Sequence, residues 1–413
     1  MRRHDHRGQT RGQTPVRFLP FATLAGLATF ATIACLVMDA LAQTKPRARD
    51  LGIAPGVLTP GPLNAITDVE GVRVGHTTIV QGDAVRTGVT AIVPHGGNVF
   101  QDKVAGGVFV GNAFGKLAGS TQVTELGTIE TPIVLTNTLS VGVAMDAVVR
   151  YTIAQPGNER VRSVNPLVGE TNDGGLNDIR GLHVTTDHVL DAIRTAKTGA
   201  VGEGTVGAGT GTMCYGWKGI GTSSRKAGSY TVGVLAQTNF GGNLTIGGVP
   251  VFRALQPPRR RQADSSSPFD KLRASETQSL GRPEPVEGRV DPADGSCMLV
   301  VATDAPLDAR DLRRLAARAV FGLGRTGSAY SNGSGDFAIA FSTSPEMRSR
   351  FNDTAVRARQ VLPVDATSPL FEAALEATEE AVYNSLFQAT TVRSASGTGE
   401  AIPIDRVREL LRR

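Results

Sequence analysis

The chain has 413 residues, of which 40% are hydrophobic, 20% are charged and 49 are glycine, a composition that describes a tightly turned globular protein and excludes a disordered one. Three units of its formal charge of +5 sit in the first 42 residues. Beyond residue 42 there are 38 basic and 36 acidic residues, a net of +2, so no nucleic-acid partner is expected.

The first segment reads as a secretory signal. Arg2, Arg3, Arg7, Arg11 and Arg17 precede an apolar run over residues 18–38, and Ala40-Leu41-Ala42 supplies small residues for cleavage before Gln43. Pro20 and several threonines interrupt the run, which speaks against a retained membrane anchor. The expectation is a signal peptide over residues 1–42, a periplasmic or secreted protein, and no membrane contact after its removal. Cys35 leaves with the signal. Cys214 and Cys297 remain, either as the disulfide that export permits or as two buried thiols. His76, His95, His183 and His188 show no ligand spacing, and neither a metal nor another cofactor is expected.

Residues 44–60 read as a loose linker. From 65 to 80 the pattern is strand, glycine turn, strand, and short β runs continue through 88–94, 106–111 and 131–137. Residues 141–154 and 187–198 read as helices, and between them Asn172-Asp173-Gly174-Gly175-Leu176-Asn177-Asp178 is a turn-rich loop. The run 202–211 contains a G-x-G-x-x-G match at Gly202, Gly204 and Gly207. No helix follows it, only strand-like Met213-Cys214-Tyr215-Gly216-Trp217, so it reads as tight turns or pocket backbone rather than a phosphate cradle. Residues 229–238 make a further strand. Between 257 and 294 apolar residues almost vanish, which predicts a disordered insertion.

The most informative stretch begins at the end of that insertion. Asp294-Gly295-Ser296 leads into Cys297-Met298-Leu299-Val300-Val301-Ala302-Thr303, a strand buried on both faces. Glycine leaves its own carbonyl unshielded, so the next hydroxyl could attack it and cut the chain. Ser296 would then carry a free amine beside its hydroxyl, a nucleophile with a built-in base. The same Gly-Ser pair could equally be an ordinary turn. Asp308 reads as the N-cap of a helix whose apolar face runs from Leu312 to Leu323, with Gly322 and Gly324 ending it and Arg310, Arg313, Arg314 and Arg318 on a solvated face. A Gly/Ser turn over 327–335 enters a strand at Asp336. Ser368-Pro369 starts an acidic helix reaching Phe387, and 405–411 is a last short helix.

Residues 64–78, 169–174, 176–181, 203–211, 237–241 and 295–307, with Ser331-Asn332-Gly333-Ser334-Gly335-Asp336, together resemble the L-aminopeptidase/D-esterase family, which includes β-peptidyl aminopeptidases. The resemblance implies an α/β fold, a four-layer α/β/β/α sandwich like that of N-terminal-nucleophile hydrolases but with different connectivity. It implies self-cleavage between Gly295 and Ser296 into an α-chain (43–256 with the 257–294 insertion) and a β-chain (296–413), and a homo-oligomer of αβ units. Ser296 would be the nucleophile, Ser334 its hydrogen-bonding neighbour, Asp336 a helper where some members carry Glu, and Asn239 an amide donor to the oxyanion. Substrates would be short peptides, amides or esters. Several members carry an aromatic residue where this chain has Gly175. Two rivals are an acyltransferase of the ornithine acetyltransferase type, which normally uses threonine, and a non-catalytic exported binding protein that never cleaves.

Overall fold

The computed structural model describes residues 45–255 and 295–412, so the expected signal segment and the insertion at 257–294 lie outside the described residues. The chain divides into two units, Met1–Lys45 and Pro46–Arg413, and the architecture is that of the second. In chain order its elements are strands β1 (Arg73–Gln81), β2 (Val85–Val93), β3 (Asp102–Ala113) and β4 (Leu117–Ala118), helix α1 (Ser120–Leu126), strands β5 (Thr128–Ile129) and β6 (Ile133–Asn137), helix α2 (Val141–Ile153), strand β7 (Leu167–Thr171), helix α3 (Thr186–Arg194), strands β8 (Ile220–Ala227) and β9 (Tyr230–Asn239), and the short helix α4 (Phe252–Leu255). After the insertion come β10 (Ser296–Thr303), α5 (Ala309–Arg325), β11 (Gly335–Ser342), β12 (Ser349–Arg350), α6 (Ser368–Phe387), the hairpin β13 (Val392–Ser394) with β14 (Gly397–Gly399), and α7 (Ile404–Leu411).

One sheet runs β1-β2-β6-β7-β4. The larger runs β12-β3-β11-β10-β9-β8, with β5 paired to β3. Ile92, Leu135 and Leu167 of the first sheet meet Leu235, Met298, Val300, Phe337 and Ile339 of the second in one apolar layer. The outer faces carry helices. Val89, Ala91, Val134 and Val168 pack with α2 and α3 through Ala144, Val148, Val189 and Ile193. Leu299 and Val301 pack with α5 and α6 through Leu312, Leu315, Ala377 and Ala381. The result is the expected four-layer α/β/β/α sandwich. β10 is buried along its whole length, and its apolar residues 297–302 feed two different cores alternately, each large side chain contributing roughly 1.5–3 kcal/mol on burial.

Four local expectations change. Residues 65–69 do not form a strand: Ile66–Asp68 is a 3-10 turn, because the Asp68 carboxylate accepts the N–H groups of Leu63 at 2.9 Å and Ala65 at 3.1 Å and folds the chain back. Residues 213–217 form a tight turn rather than a strand. Cys214 N–H donates to Trp217 O at 2.6 Å, and Tyr215 and Gly216 lie at φ 53° and 89°. Gly322 and Gly324 do not end their helix, which continues to Arg325. A Cβ at Gly322 would stand 2.9 Å from Thr378 Cβ, so this glycine permits the close crossing of α5 and α6. The described part of the loose linker is a strap bound to α6. Ala48 N–H donates to Asn384 Oδ1 at 2.9 Å, Val57 and Leu58 N–H donate to Glu376, and Arg49 pairs with Glu380. Cys214 and Cys297 are separate buried thiols.

Candidate active site

β10 begins between two strands. Ser296 pairs with Asn239 of β9 on one side and Gly335 of β11 on the other. Gly295, just before it, lies at φ 155°, and a Cβ there would stand 1.9 Å from the Asn239 carbonyl oxygen, so no other residue fits. Residues paired across a ladder point to the same face, and Gln237, two before Asn239, reaches across to Thr136 O at 3.1 Å and Thr171 Oγ1 at 2.9 Å in the other sheet. Asn239 and Ser296 therefore face the space between the sheets, at its edge, with 8% and 6% of their surfaces exposed.

Gly335 N–H donates to the Gly295 carbonyl at 3.2 Å and lies 3.3 Å from Ser296 Oγ. The Asn239 side chain is turned by one contact: Met213 N–H donates to its Oδ1 at 2.7 Å. That contact settles which end of the amide is oxygen and leaves Nδ2 as a donor with no acceptor among the described residues.

Ser334 and Asp336 flank Gly335 in sequence. Asp336 shares the strand face of Ala338 and Ala340, which pack beneath α5, so Asp336 lies behind Ser296 rather than beside its hydroxyl. Ser334 Oγ and both Asp336 carboxylate oxygens are buried without a hydrogen-bond partner among the described residues. Burial pushes the Asp336 carboxyl up to about 6. The adjacent Ser334 hydroxyl opposes that shift without closing a well-formed hydrogen bond. The register of β11 on β3 shifts at Asp336 and Phe337, with Gly111 as the extra residue, a bulge that re-aims the strand beside the site. Burial pushes the Cys214 thiol up to about 12 and Cys297 well above its ordinary range, so the thiol next to Ser296 stays protonated and is no rival nucleophile.

Sequence reasoning assigned no role to Glu170, yet the structure brings it close. Its Oε1 accepts Lys116 N–H at 2.9 Å and its other oxygen accepts the Thr138 hydroxyl. Cβ atoms built at Gly115 and Gly335 would lie 3.2 Å from Glu170 Oε1 and from Gly115 Cα respectively, so only Gly115 separates the carboxylate from the Ser296 row. The signal was a lone acid in the apolar strand Leu167–Thr171, buried throughout. At Gly175, a Cβ would meet only Met213 Cε, at 3.6 Å, so the 172–178 loop opens beside the residue that holds Asn239. No group of three or more His, Cys, Asp or Glu side chains able to hold a metal occurs among the described residues.

Comparison with known proteins places this arrangement. The model of peptidase family S58 matches residues 64–399. Beta-peptidyl aminopeptidase BapA of Sphingosinicella microcystinivorans is 40% identical over 396 residues, 92% of this chain and 95% of that protein. Among solved structures, a beta-aminopeptidase of Burkholderia sp. superposes with a TM-score of 0.75 at 38% identity, covering 89% of this chain and 98% of that one. The L-aminopeptidase D-Ala-esterase/amidase of Ochrobactrum anthropi, described as a prototype for the serine aminopeptidases and a new variant among the Ntn hydrolase fold, gives 0.75 at 35% identity over 89% and 98%.

Proposed function

This chain belongs to peptidase family S58 and is a peptide hydrolase of the aminopeptidase kind, and we propose that it acts through Ser296 as an N-terminal nucleophile that it exposes itself. In the first step Ser296 Oγ attacks the Gly295 carbonyl carbon, polarised by Gly335 N–H. The C–N bond breaks, the nitrogen takes the hydroxyl proton, and an ester links Gly295 to Ser296. Water hydrolyses that ester, leaving a Gly295 carboxylate and a Ser296 α-amine. The observation that carries the reading is the set of unpartnered buried atoms, Ser334 Oγ and Asp336 Oδ1 and Oδ2, beside the residue that pairs with Ser296. Buried polar groups are normally satisfied, and the three N–H bonds of a new α-ammonium are the donors these acceptors lack.

In turnover the α-amine, which titrates near ~7.7–8.0 when unperturbed, takes the Oγ proton as Ser296 attacks the substrate carbonyl. The free Nδ2 of Asn239 and Gly335 N–H face the developing oxyanion, collapse expels the amine product with the proton returned, and water then hydrolyses the acyl ester on Ser296 to release the N-terminal residue and restore the hydroxyl. An aminopeptidase substrate carries an ammonium next to the scissile bond, and buried Glu170, one glycine away from the Ser296 row and 3.7 Å from Lys116 Nζ, is the acid placed to receive it. By likeness to its relatives the enzyme releases N-terminal residues, L-, D- or β-amino acids, from short peptides, amides or esters. We extend the proposal to a signal peptide over 1–42, a periplasmic or secreted αβ unit, and its homo-oligomer.

Intact mass tests the reading. The purified protein should show chains of 253 residues (43–295) and 118 residues (296–413), and Ser296→Ala should show one uncut, inactive chain. Two chains from Ser296→Ala would refute it.

A further inference from the structure

Lys218 takes no part in that chemistry, yet it is wholly buried. The pairing of β8 with β9 runs from Ala227↔Tyr230 to Ile220↔Gln237, and Thr238 N–H still donates to Gly219 O at 3.2 Å, so Lys218 continues this strand to the level of Asn239. Its Nζ turns across the end of the sheet and donates to the Thr210 carbonyl. Three residues on, Met213 N–H holds Asn239 Oδ1.

The arc between them has little else to fix it. Thr210 and Thr212 bond only within the arc's own approach, to Gly207 O at 2.6 Å and Gly209 O at 3.2 Å. On its other side a Cβ at Gly211 would stand 2.1 Å from Arg86 O and 2.8 Å from Asp173 Cβ, so the arc is pressed between Lys218 and Asp173. Asp173 is itself fixed, accepting from Thr87 Oγ1 at 2.5 Å and Asn177 Nδ2 at 3.0 Å. Burial lowers the Lys218 amine to about 7, and a buried amine bonded to a single carbonyl is an expensive way to fasten a loop where apolar packing would do for mere stability. What the amine adds is a directed bond that sets the position of the arc.

We infer that Lys218 is a positioning residue which, by holding the Thr210 carbonyl, fixes residues 210–213 and so aims the Asn239 amide at the oxyanion. The inference rests on reading Asn239 as the oxyanion donor.

The test compares Lys218→Met, Asn239→Ala and the double variant in hydrolysis of a short-peptide anilide, each normalised to its two-chain fraction on a denaturing gel. Lys218→Met should lower kcat by about 10–100-fold with KM within about threefold, the signature of a loss felt only in the transition state. On the Asn239→Ala background the same substitution should cost no more than about twofold, because no amide remains to aim. Multiplicative losses, or a Lys218→Met kcat within about twofold of wild type while Asn239→Ala is slow, would overturn the inference alone. An Asn239→Ala enzyme at the wild-type rate would instead sink the oxyanion reading. If Lys218→Met does not accumulate folded, Lys218→Met with Asp173→Asn removes both buried charges and carries the same comparison.

Discussion

Replacing Asp336 by asparagine in the uncut Ser296→Ala chain isolates the cost of keeping a carboxylate without a partner. Asp336 is fully buried, and burial raises its carboxyl from the ordinary 3.8 to about 6. The folded chain therefore holds this proton more tightly than the unfolded one. The stabilisation is complete below about pH 4 and is lost as pH rises through about 6. A displacement of about two units corresponds to ~3 kcal/mol. Asparagine has the same shape and does not titrate. Relative to the Asp336 parent, the Asp336→Asn chain should thus gain about 3 kcal/mol in unfolding free energy between about pH 4 and about pH 7. Urea denaturation across that range, with unchanged m-values, reads the difference directly. A difference that stays constant with pH, or that favours aspartate at neutral pH, would refute the reasoning. In a wild type cut as proposed, the new Ser296 ammonium would lie near the carboxylate and draw its pKa down, so the same pH slope should disappear.

Two further substitutions probe the junction and the core around it. Gly295→Ala places a methyl group 1.9 Å from the Asn239 carbonyl oxygen, so β9 and β10 must part at their lip. Self-cleavage followed on gels should slow at least about tenfold, the cost of a small misplacement of reacting groups, and an unchanged rate would show that the close approach is unimportant. Arg225→Met removes the buried guanidinium that donates to Glu376 at 3.0 Å and Glu380 at 2.7 Å, leaving, among the described residues, Glu376 with only backbone donors and Glu380 with only Arg49 as a cation. Urea unfolding should show a loss of roughly 3–5 kcal/mol, and a loss under about 1 kcal/mol would mean that the acids relax to solvent or protonate cheaply.

The parts of the chain that could be read from sequence are those decided locally. β10 is legible because both faces are buried and every second residue is apolar in each direction. α6 begins at Ser368 as its Ser-Pro start indicates, and the Asp308 carboxylate accepts Asp311 N–H at 2.9 Å as an N-cap should. The misread parts turn on side-chain contacts that no periodicity displays. The run 65–69 looks β-forming until Asp68 is seen to fold back on Leu63 and Ala65. Glu376 and Glu380 of the acidic helix α6 are buried beside Arg225, which lies more than 150 residues away in sequence and next to them in space. At the site, the Gly-Ser junction, Ser334, Asp336 and Asn239 were visible as a resemblance. That Asp336 stands behind the sheet, that Met213 sets the Asn239 amide and that Glu170 adjoins the row all depend on strand register, which the sequence does not display.

The register also makes the proposed cut at this place tolerable. The bond between Gly295 and Ser296 lies at the mouth of a central strand, not in a surface loop. Eight residue pairs join β10 to β9, which precedes the cut, and eight more join it to β11, on the far side of the cut in sequence. Across the sheet β11 pairs with β3, again from the earlier segment, and the strap at 46–58 binds α6 of the later one. Severing one peptide bond therefore separates nothing, since each segment completes the other's sheet and core. The proposed cut would release an amine with almost no freedom to move, pinned by the ladder on both sides and backed by Ser334 and Asp336. A nucleophile and base held in that way need no ordering at the moment of reaction, which is where much of the rate advantage of a positioned group originates. Placing Ser296 at the start of a strand buried on both faces makes the new chain end as rigid as the core it enters.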